Sequence, residues 1–181
     1  MGRENMQAPH RPSPFSAKYT VGPGPTPVHI SVFRNLSGQL RLEFAGEPRP
    51  PYMKIMICDK STKRNIELDP ETHTFWKLGD DVIEPPWLST PTKRMVMTGE
   101  TKIILGTQCK LYVSNRTDDA QLSEVWFADE LGIAVNESQM LDGVKQITLQ
   151  MTNLQIGEPD PKLFVIPQGY HENTEPRDWE E

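Results

Sequence analysis

The sequence predicts a mainly β fold, an antiparallel meander that forms an incomplete or a closed barrel with little helix. Three observations lead there. Apolar residues recur with period 2 along most of the chain, not with the 3.6-residue period of a helix. Glycine, proline, asparagine and aspartate interrupt those runs at short intervals, which marks about a dozen short strands separated by tight turns. No window offers an apolar helical stripe longer than about two turns, and the best candidate for a short helix is Ser138–Leu141.

The first candidate strand, Phe15–Val21, stops at Gly22-Pro23-Gly24-Pro25, whose prolines lack the amide that a central strand needs. His29–Arg34 alternates, with Ile30 and Val32 on one face and His29, Ser31 and Phe33 on the other. Asn35-Leu36-Ser37-Gly38 reads as a hairpin turn in which Gly38 supplies the left-handed conformation. Gln39–Ala45 sets Leu40, Leu42 and Phe44 against Arg41 and Glu43, the pattern of a sheet with one wet face. After the Pro48–Pro51 loop, Tyr52–Asp59 places Met53, Ile55 and Ile57 opposite Met56 and Cys58. That strand is apolar on both faces, so both should be covered. Lys60–Arg64 is a polar turn, and Asn65–Leu68 with His73–Leu78 forms a hairpin around Asp69-Pro70-Glu71-Thr72. Residues 79–94 carry three prolines and read as a long loop, a type that usually has a role or is mobile.

The second half repeats the theme. Thr101–Leu105 and Gln108–Ser114 flank Gly106, and Ser123–Asp129 and Gly132–Asn136 flank Glu130-Leu131. Val144–Ile156 changes phase partway: Ile147, Leu149 and Met151 share one parity, Leu154 and Ile156 the other. A bulge near Thr152-Asn153 returns them all to one face. Leu163–Pro167 is a last short strand. The polar residues 1–13 are a disordered lead, 14–170 a single β domain, and 171–181 an acidic disordered tail. A chain of 181 residues suits one domain and can bury a real core without metals or many disulfides.

Charge narrows the function. Nineteen Lys and Arg against 25 Asp and Glu leave a net charge of −6 with no basic block. Nucleic acid, which needs a basic stripe to neutralise phosphates, is excluded as a partner, and a grip on anionic lipid headgroups is disfavoured. No run approaches the length of a transmembrane span. The opening Met1-Gly2-Arg3-Glu4-Asn5-Met6 lacks a signal-peptide apolar core, so a chain complete as given would be cytoplasmic.

The chemistry-bearing residues read as structural. Nucleophile-elbow, P-loop, HExxH and dinucleotide motifs are missing. Asp80-Asp81 and Asp118-Asp119 lie in loops, where adjacent carboxylates are ordinarily solvated. Gly157-Glu158-Pro159-Asp160-Pro161 is a rigid turn: its prolines fix φ and its acids can cap neighbouring amides. His10, His29, His73 and His171 are scattered, so no metal, no cofactor and no catalytic residue is expected. Cys58 and Cys109 both fall in strands and leave two readings open: a pair of buried thiols, or a disulfide across the core that would imply an oxidising compartment. Trp87, beside Pro85-Pro86, either pins its own loop or lids an apolar pocket, while Trp126 reads as core. Several methionines (Met53, Met56, Met95, Met97, Met151) lie in or beside strands, where they serve as gap fillers or as an adaptable apolar surface.

Three stretches carry a resemblance. Thr98-Gly99-Glu100-Thr101-Lys102-Ile103-Ile104-Leu105-Gly106, then Cys109-Lys110-Leu111-Tyr112, then Glu124-Val125-Trp126-Phe127 with Glu130-Leu131-Gly132, resemble a run found in a family of secreted bacterial β-rich proteins. The acidobacterial members are similar over about residues 14–170, from Pro14-Phe15-Ser16-Ala17 to the ending Leu154–Phe164 followed by Pro167 and Tyr170. The resemblance implies export to the periplasm or beyond, and a distant relation to the LolA-like lipoprotein-carrier fold, an incomplete barrel whose concave face holds acyl chains or a partner. The chain departs from the carriers in lacking long amphipathic helices.

Two functions follow as expectations. The first is a non-catalytic exported protein that binds a hydrophobic ligand, a lipid or a lipoprotein on a concave sheet face. Ile55, Ile57, Leu111, Val125 and Ile147 would line that face, with Trp87 near its mouth. The second is a periplasmic protein–protein interaction module of the cell envelope, which instead predicts a filled core with an exposed apolar patch or an open edge strand. A hydrolase is a remote third.

Overall fold

The computed structural model describes residues 13–23, 25–46, 54–79, 91, 95–114 and 122–175. The first half of the chain forms β1 (Phe15–Val21), β2 (Val28–Arg34), β3 (Leu40–Ala45), β4 (Ile55–Asp59), β5 (Arg64–Asp69) and β6 (Thr74–Leu78). The second forms β7 (Met95–Ile104), β8 (Thr107–Ser114), β9 (Ser123–Ala128), β10 (Ile133–Leu141) and β11 (Val144–Ile156), then a 3₁₀ turn (Pro161–Phe164) and β12 (His171–Glu172). All twelve strands belong to one sheet in the order β12-β6-β5-β4-β3-β2-β1-β11-β10-β9-β8-β7. The fold is mainly β, as the sequence predicts, and the sheet stays open, with β7 at one edge and β12 at the other.

Two meanders make this sheet. Hairpin neighbours pair antiparallel within β1–β6 and within β7–β11, and β1 then joins β11 to unite the halves. Because opposed residues share a face, the register aligns Ala17, Val32 and Leu42 with Met56 in one row, and all four are buried. They belong to a main core that gathers both halves, with Phe15, Tyr19, Phe127, Ile133, Val135 and Leu149 among its members.

β4 is covered on both faces, as its sequence requires. Met56 and Cys58 point into the main core, while Ile57 joins Ile66, Leu68 and Phe75 in a second cluster on the opposite face. The C-terminal segment lies over that cluster with Ile166 and Tyr170. It is held by Arg41, whose Nη1 donates to the Leu163 carbonyl at 2.8 Å, and by Glu158, whose Oε2 accepts from the Leu36 amide at 2.9 Å. Asp160 caps the 3₁₀ turn by accepting from the Lys162 amide. The acids of this proline-rich turn therefore cap neighbouring amides.

The phase change in β11 is a bulge at Thr152. Lys18 opposes Asn153 but Tyr19 opposes Met151, so Thr152 is the extra residue. A second shift at Thr148 separates Leu149, opposite Glu137, from Ile147, opposite Ser138.

Four expectations are corrected. β7 starts at Met95, six residues before the apolar alternation of Thr101–Leu105, because pairing with β8 resumes beyond an irregularity between Met97 and Thr101. Ser138–Leu141 is not helical but completes β10, since β9 and β11 both pair with it and Asp142-Gly143 closes a tight hairpin with φ of 52° and 75°. Leu163–Pro167 is no strand: the Asp160 cap and Pro161 start a 3₁₀ turn instead. His171–Glu172, expected in the tail, pairs in parallel with Thr74–Phe75 of β6.

Candidate functional site

The β7–β8 hairpin turns on two residues with positive φ, Leu105 at 48° and Gly106 at 80°. A tight hairpin needs that backbone at both positions, and glycine or asparagine normally provides it. Gly106 adopts it without strain. Leu105 does not, because its Cβ crowds the following carbonyl at a cost of roughly 1–2 kcal/mol. Its side chain is nevertheless 44% exposed, so no burial compensates fully for that strain. Ile103, two residues earlier, is 69% exposed.

These two side chains form one wall of a cleft of about 350 Å³. The other wall is Leu131, in the β9–β10 turn, together with Leu154 and Ile156 at the end of β11. Ile156 is 57% exposed, whereas Leu131 is buried and forms part of the main core. The bulge at Thr152 matters here, because it keeps Leu154 and Ile156 on the face of their partners Ala17 and Phe15. Ser13 and Glu130 stand at the polar rim, with the Ser13 amide donating to the Glu130 carbonyl at 3.2 Å.

A buried cation braces this floor. Arg34 Nη2 donates to the carbonyls of Ser13, at 2.7 Å, and of Leu131, and its guanidinium lies 4.7 Å from the Phe15 ring centroid. Beside the cleft Lys110 pairs with Asp129, a hydrogen bond that raises the lysine above its ordinary pKa. The arrangement can grip an apolar group between a strained hairpin tip and a rigid floor.

The neighbouring titratable groups are tied into the framework. Burial pushes the Cys109 thiol up to about 11, which keeps it protonated and poorly nucleophilic at neutral pH. Burial pushes Asp59 up, but hydrogen bonds from Ser61, Gln39 and Thr62 outweigh that and hold its carboxyl at about 2. Its Oδ1 accepts from the Ser61 amide and hydroxyl at the β4–β5 turn.

The residues singled out in the sequence do not converge on one surface. Ile55 and Ile57 belong to the second cluster, beneath the C-terminal segment. Val125 lies in the main core and pairs with Tyr112, while Leu111, also buried, pairs with Trp126. Ile147 is 51% exposed. Trp87 lies outside the described residues. Cys58 and Cys109 are buried thiols in the main core, with no disulfide between them. Sequence reasoning missed Ile103, Leu105 and Ile156. A signal was present: the run Ile103-Ile104-Leu105 leads straight into a glycine turn, where a polar residue is usual.

No protein-family model matches the chain, and no curated protein sequence matches it. Solved structures do. The crystal structure of MucB is similar at a TM-score of 0.55 and 9% identity, covering 88% of this chain and 59% of that one. PNGF-II is similar at a TM-score of 0.51 and 16% identity, covering 89% of this chain and 31% of that one. A LolA superfamily protein from Nitrosomonas europaea aligns at a TM-score of 0.35 and 8% identity, over 88% of this chain and 92% of that one. The chain thus spans under a third of PNGF-II and about three-fifths of MucB. At these identities the first two likenesses concern the fold alone.

Proposed function

We propose that this chain is a non-catalytic interaction module of the bacterial cell envelope, which receives an apolar side chain of a partner protein in the cleft between Leu105 and Ile156. The observation that carries this reading is the exposed apolar rim of Ile103, Leu105 and Ile156 around that cleft. An apolar patch left on the surface at the expense of backbone strain is characteristic of a binding site. The size also favours a side chain. A volume of about 350 Å³ is at the lower end of the ~300–1,000 Å³ typical of small-molecule pockets.

The carrier reading draws less support. The residues it needs as a concave apolar lining are divided between two packed clusters, so Ile57 and Val125 are engaged in core contacts rather than in an open groove. The envelope location rests on the resemblance of the Thr98–Gly106 and Glu124–Phe127 runs to secreted bacterial proteins.

Site-specific photo-crosslinking tests the reading. A photoreactive amino acid at Ile156, in protein exported by a bacterial host, should form a discrete protein adduct that the same group at exposed Val144, the first residue of β11, does not form. A lipid-sized mass increment at Ile156 would restore the carrier reading. No adduct at Ile156 would remove both.

A further inference from the structure

The charged residue in the lining of the cleft is Glu130. It stands in the β9–β10 turn, directly before Leu131 of the cleft floor. The turn holds it by its main chain. Its carbonyl accepts from the Ser13 amide at 3.2 Å, and the amides of Leu131 and Gly132 donate to the carbonyls of Ala128 and Asp129, each at 3.1 Å. The side chain is exposed, and among the described residues its carboxylate has neither an ion-pair nor a hydrogen-bond partner.

The cations that adjoin the same segments are each engaged. Lys110 pairs with Asp129. Lys102, next to Ile103, holds its ammonium 3.8 Å from the centroid of the Trp126 ring. Arg34 is buried below the floor, bonded to the carbonyls of Ser13 and Leu131. The charge left for a guest at this cleft is therefore negative, on a chain whose net charge is −6. An apolar side chain that enters between Leu105 and Ile156 brings its neighbours in the partner's sequence to the Glu130 rim. A cation there meets a free carboxylate, and a Lys or Arg stem can lie along the apolar wall while its head stays in water. An acidic neighbour meets like charge instead.

We infer that the cleft selects a partner segment in which the apolar residue has Lys or Arg within two positions of it, and that Glu130 is the residue that determines this preference. The inference rests on the proposed function and adds the chemistry of the partner. Because the rim is exposed, Glu130 contributes discrimination and faster encounter more than affinity.

Three blocked peptides test it: acetyl-Gly-Leu-Lys-Gly-amide and its Gln and Glu counterparts in place of Lys. Each is titrated into the intact, nitrogen-15-labelled chain at neutral pH and low ionic strength, and the amide shifts of Gly106, Leu131 and Ile156 are followed. The Lys peptide should bind about threefold more tightly than the Gln peptide, the scale of an exposed ion pair, and the Glu peptide most weakly. About 1 M salt should erase the ranking without any change to the protein. Glu130→Gln should level the Lys and Gln peptides, and Glu130→Lys should make the Glu peptide the tightest. The amide spectrum of each variant shows that it is folded. Lys and Gln peptides that move the same amides with equal affinity would overturn this inference and leave the cleft function standing, as would a preference that survives Glu130→Gln. If none of the three peptides shifts those amides, the cleft function falls and this inference with it.

Discussion

Tyr19 on β1 donates its hydroxyl hydrogen to the Ala134 carbonyl on β10, 3.1 Å away and 115 residues later in the chain. β11 lies between those two strands in the sheet, so the side chain reaches past one strand to the next. The sheet is curled enough here for its own face to close on itself. That curl explains how a structure with no α-helix among its described residues fills a core. It also fixes β9–β10, and with them Leu131, relative to β1.

Replacing Tyr19 with Phe should therefore lower stability by about 1–3 kcal/mol, because the Ala134 carbonyl is left buried without its donor. Equilibrium denaturation measures this, with an unchanged m-value expected. The pH dependence has a definite sign. Burial raises the Tyr19 pKa in the folded state, so its contribution is complete below the ordinary tyrosine pKa of about 10 and is lost as pH rises above it. Tyr19→Phe should flatten the alkaline limb of the stability curve, and an unchanged limb would contradict this assignment.

Asp59 acts in the opposite range. Its carboxyl is held at about 2 against an ordinary value of 3.8, by hydrogen bonds that outweigh burial. A depressed carboxylate stabilises the fold above its unfolded pKa and loses that effect as pH falls toward the folded value. Asp59→Asn should thus be less stable than the wild type at neutral pH, with the two converging as pH drops from about 4 to 2. Thermal melts across that interval check it, and a gap that stayed constant would exclude the carboxylate as the cause.

Thr152 is a sharper test of register. Its side chain is exposed and donates only to the Lys18 carbonyl at 3.3 Å, so Thr152→Ala should change stability by less than about 0.5 kcal/mol. Deleting Thr152 is different. Without the extra residue, Leu154 and Ile156 move to the other face of β11 or the pairing with β1 slips. The deletion should cost at least as much as truncating a buried leucine to alanine, about 2–5 kcal/mol. Chemical denaturation of the two variants side by side measures the contrast.

That bulge also shows what is legible in a β sequence. Period-2 alternation is local, so the faces of β1 to β4 and the phase break in β11 can be read directly from residues such as Leu40, Leu42, Met151 and Leu154. Which face meets which is a long-range property. Ile57 and Val125 have the same apolar alternation, yet one lies under the C-terminal segment and the other in the main core. Nothing local distinguishes them. The strand at Ser138–Leu141 is illegible locally for the same reason, since pairing on both sides overrides the weak strand preference of its polar residues. The cleft was hidden because its walls come from three separated segments, the β7–β8 turn, the β9–β10 turn and the end of β11.

Leu105 offers the test that joins stability to function. Asparagine tolerates the left-handed backbone far better than leucine, and at φ 48° its short polar side chain can bond locally. Leu105→Asn should therefore raise stability, by up to about 1 kcal/mol, or at worst leave it unchanged. Most of the leucine's contact is with the cleft and solvent, so little core packing is lost. If the strained leucine is retained for packing alone, this variant will melt lower than the wild type. If it is retained to present an apolar contact, the variant will hold or gain stability while its photo-adduct at Ile156 weakens severalfold. A rise in melting temperature together with a lost adduct would be hard to reconcile with any purely structural role, because a residue that only supported the fold could not be replaced to the benefit of stability.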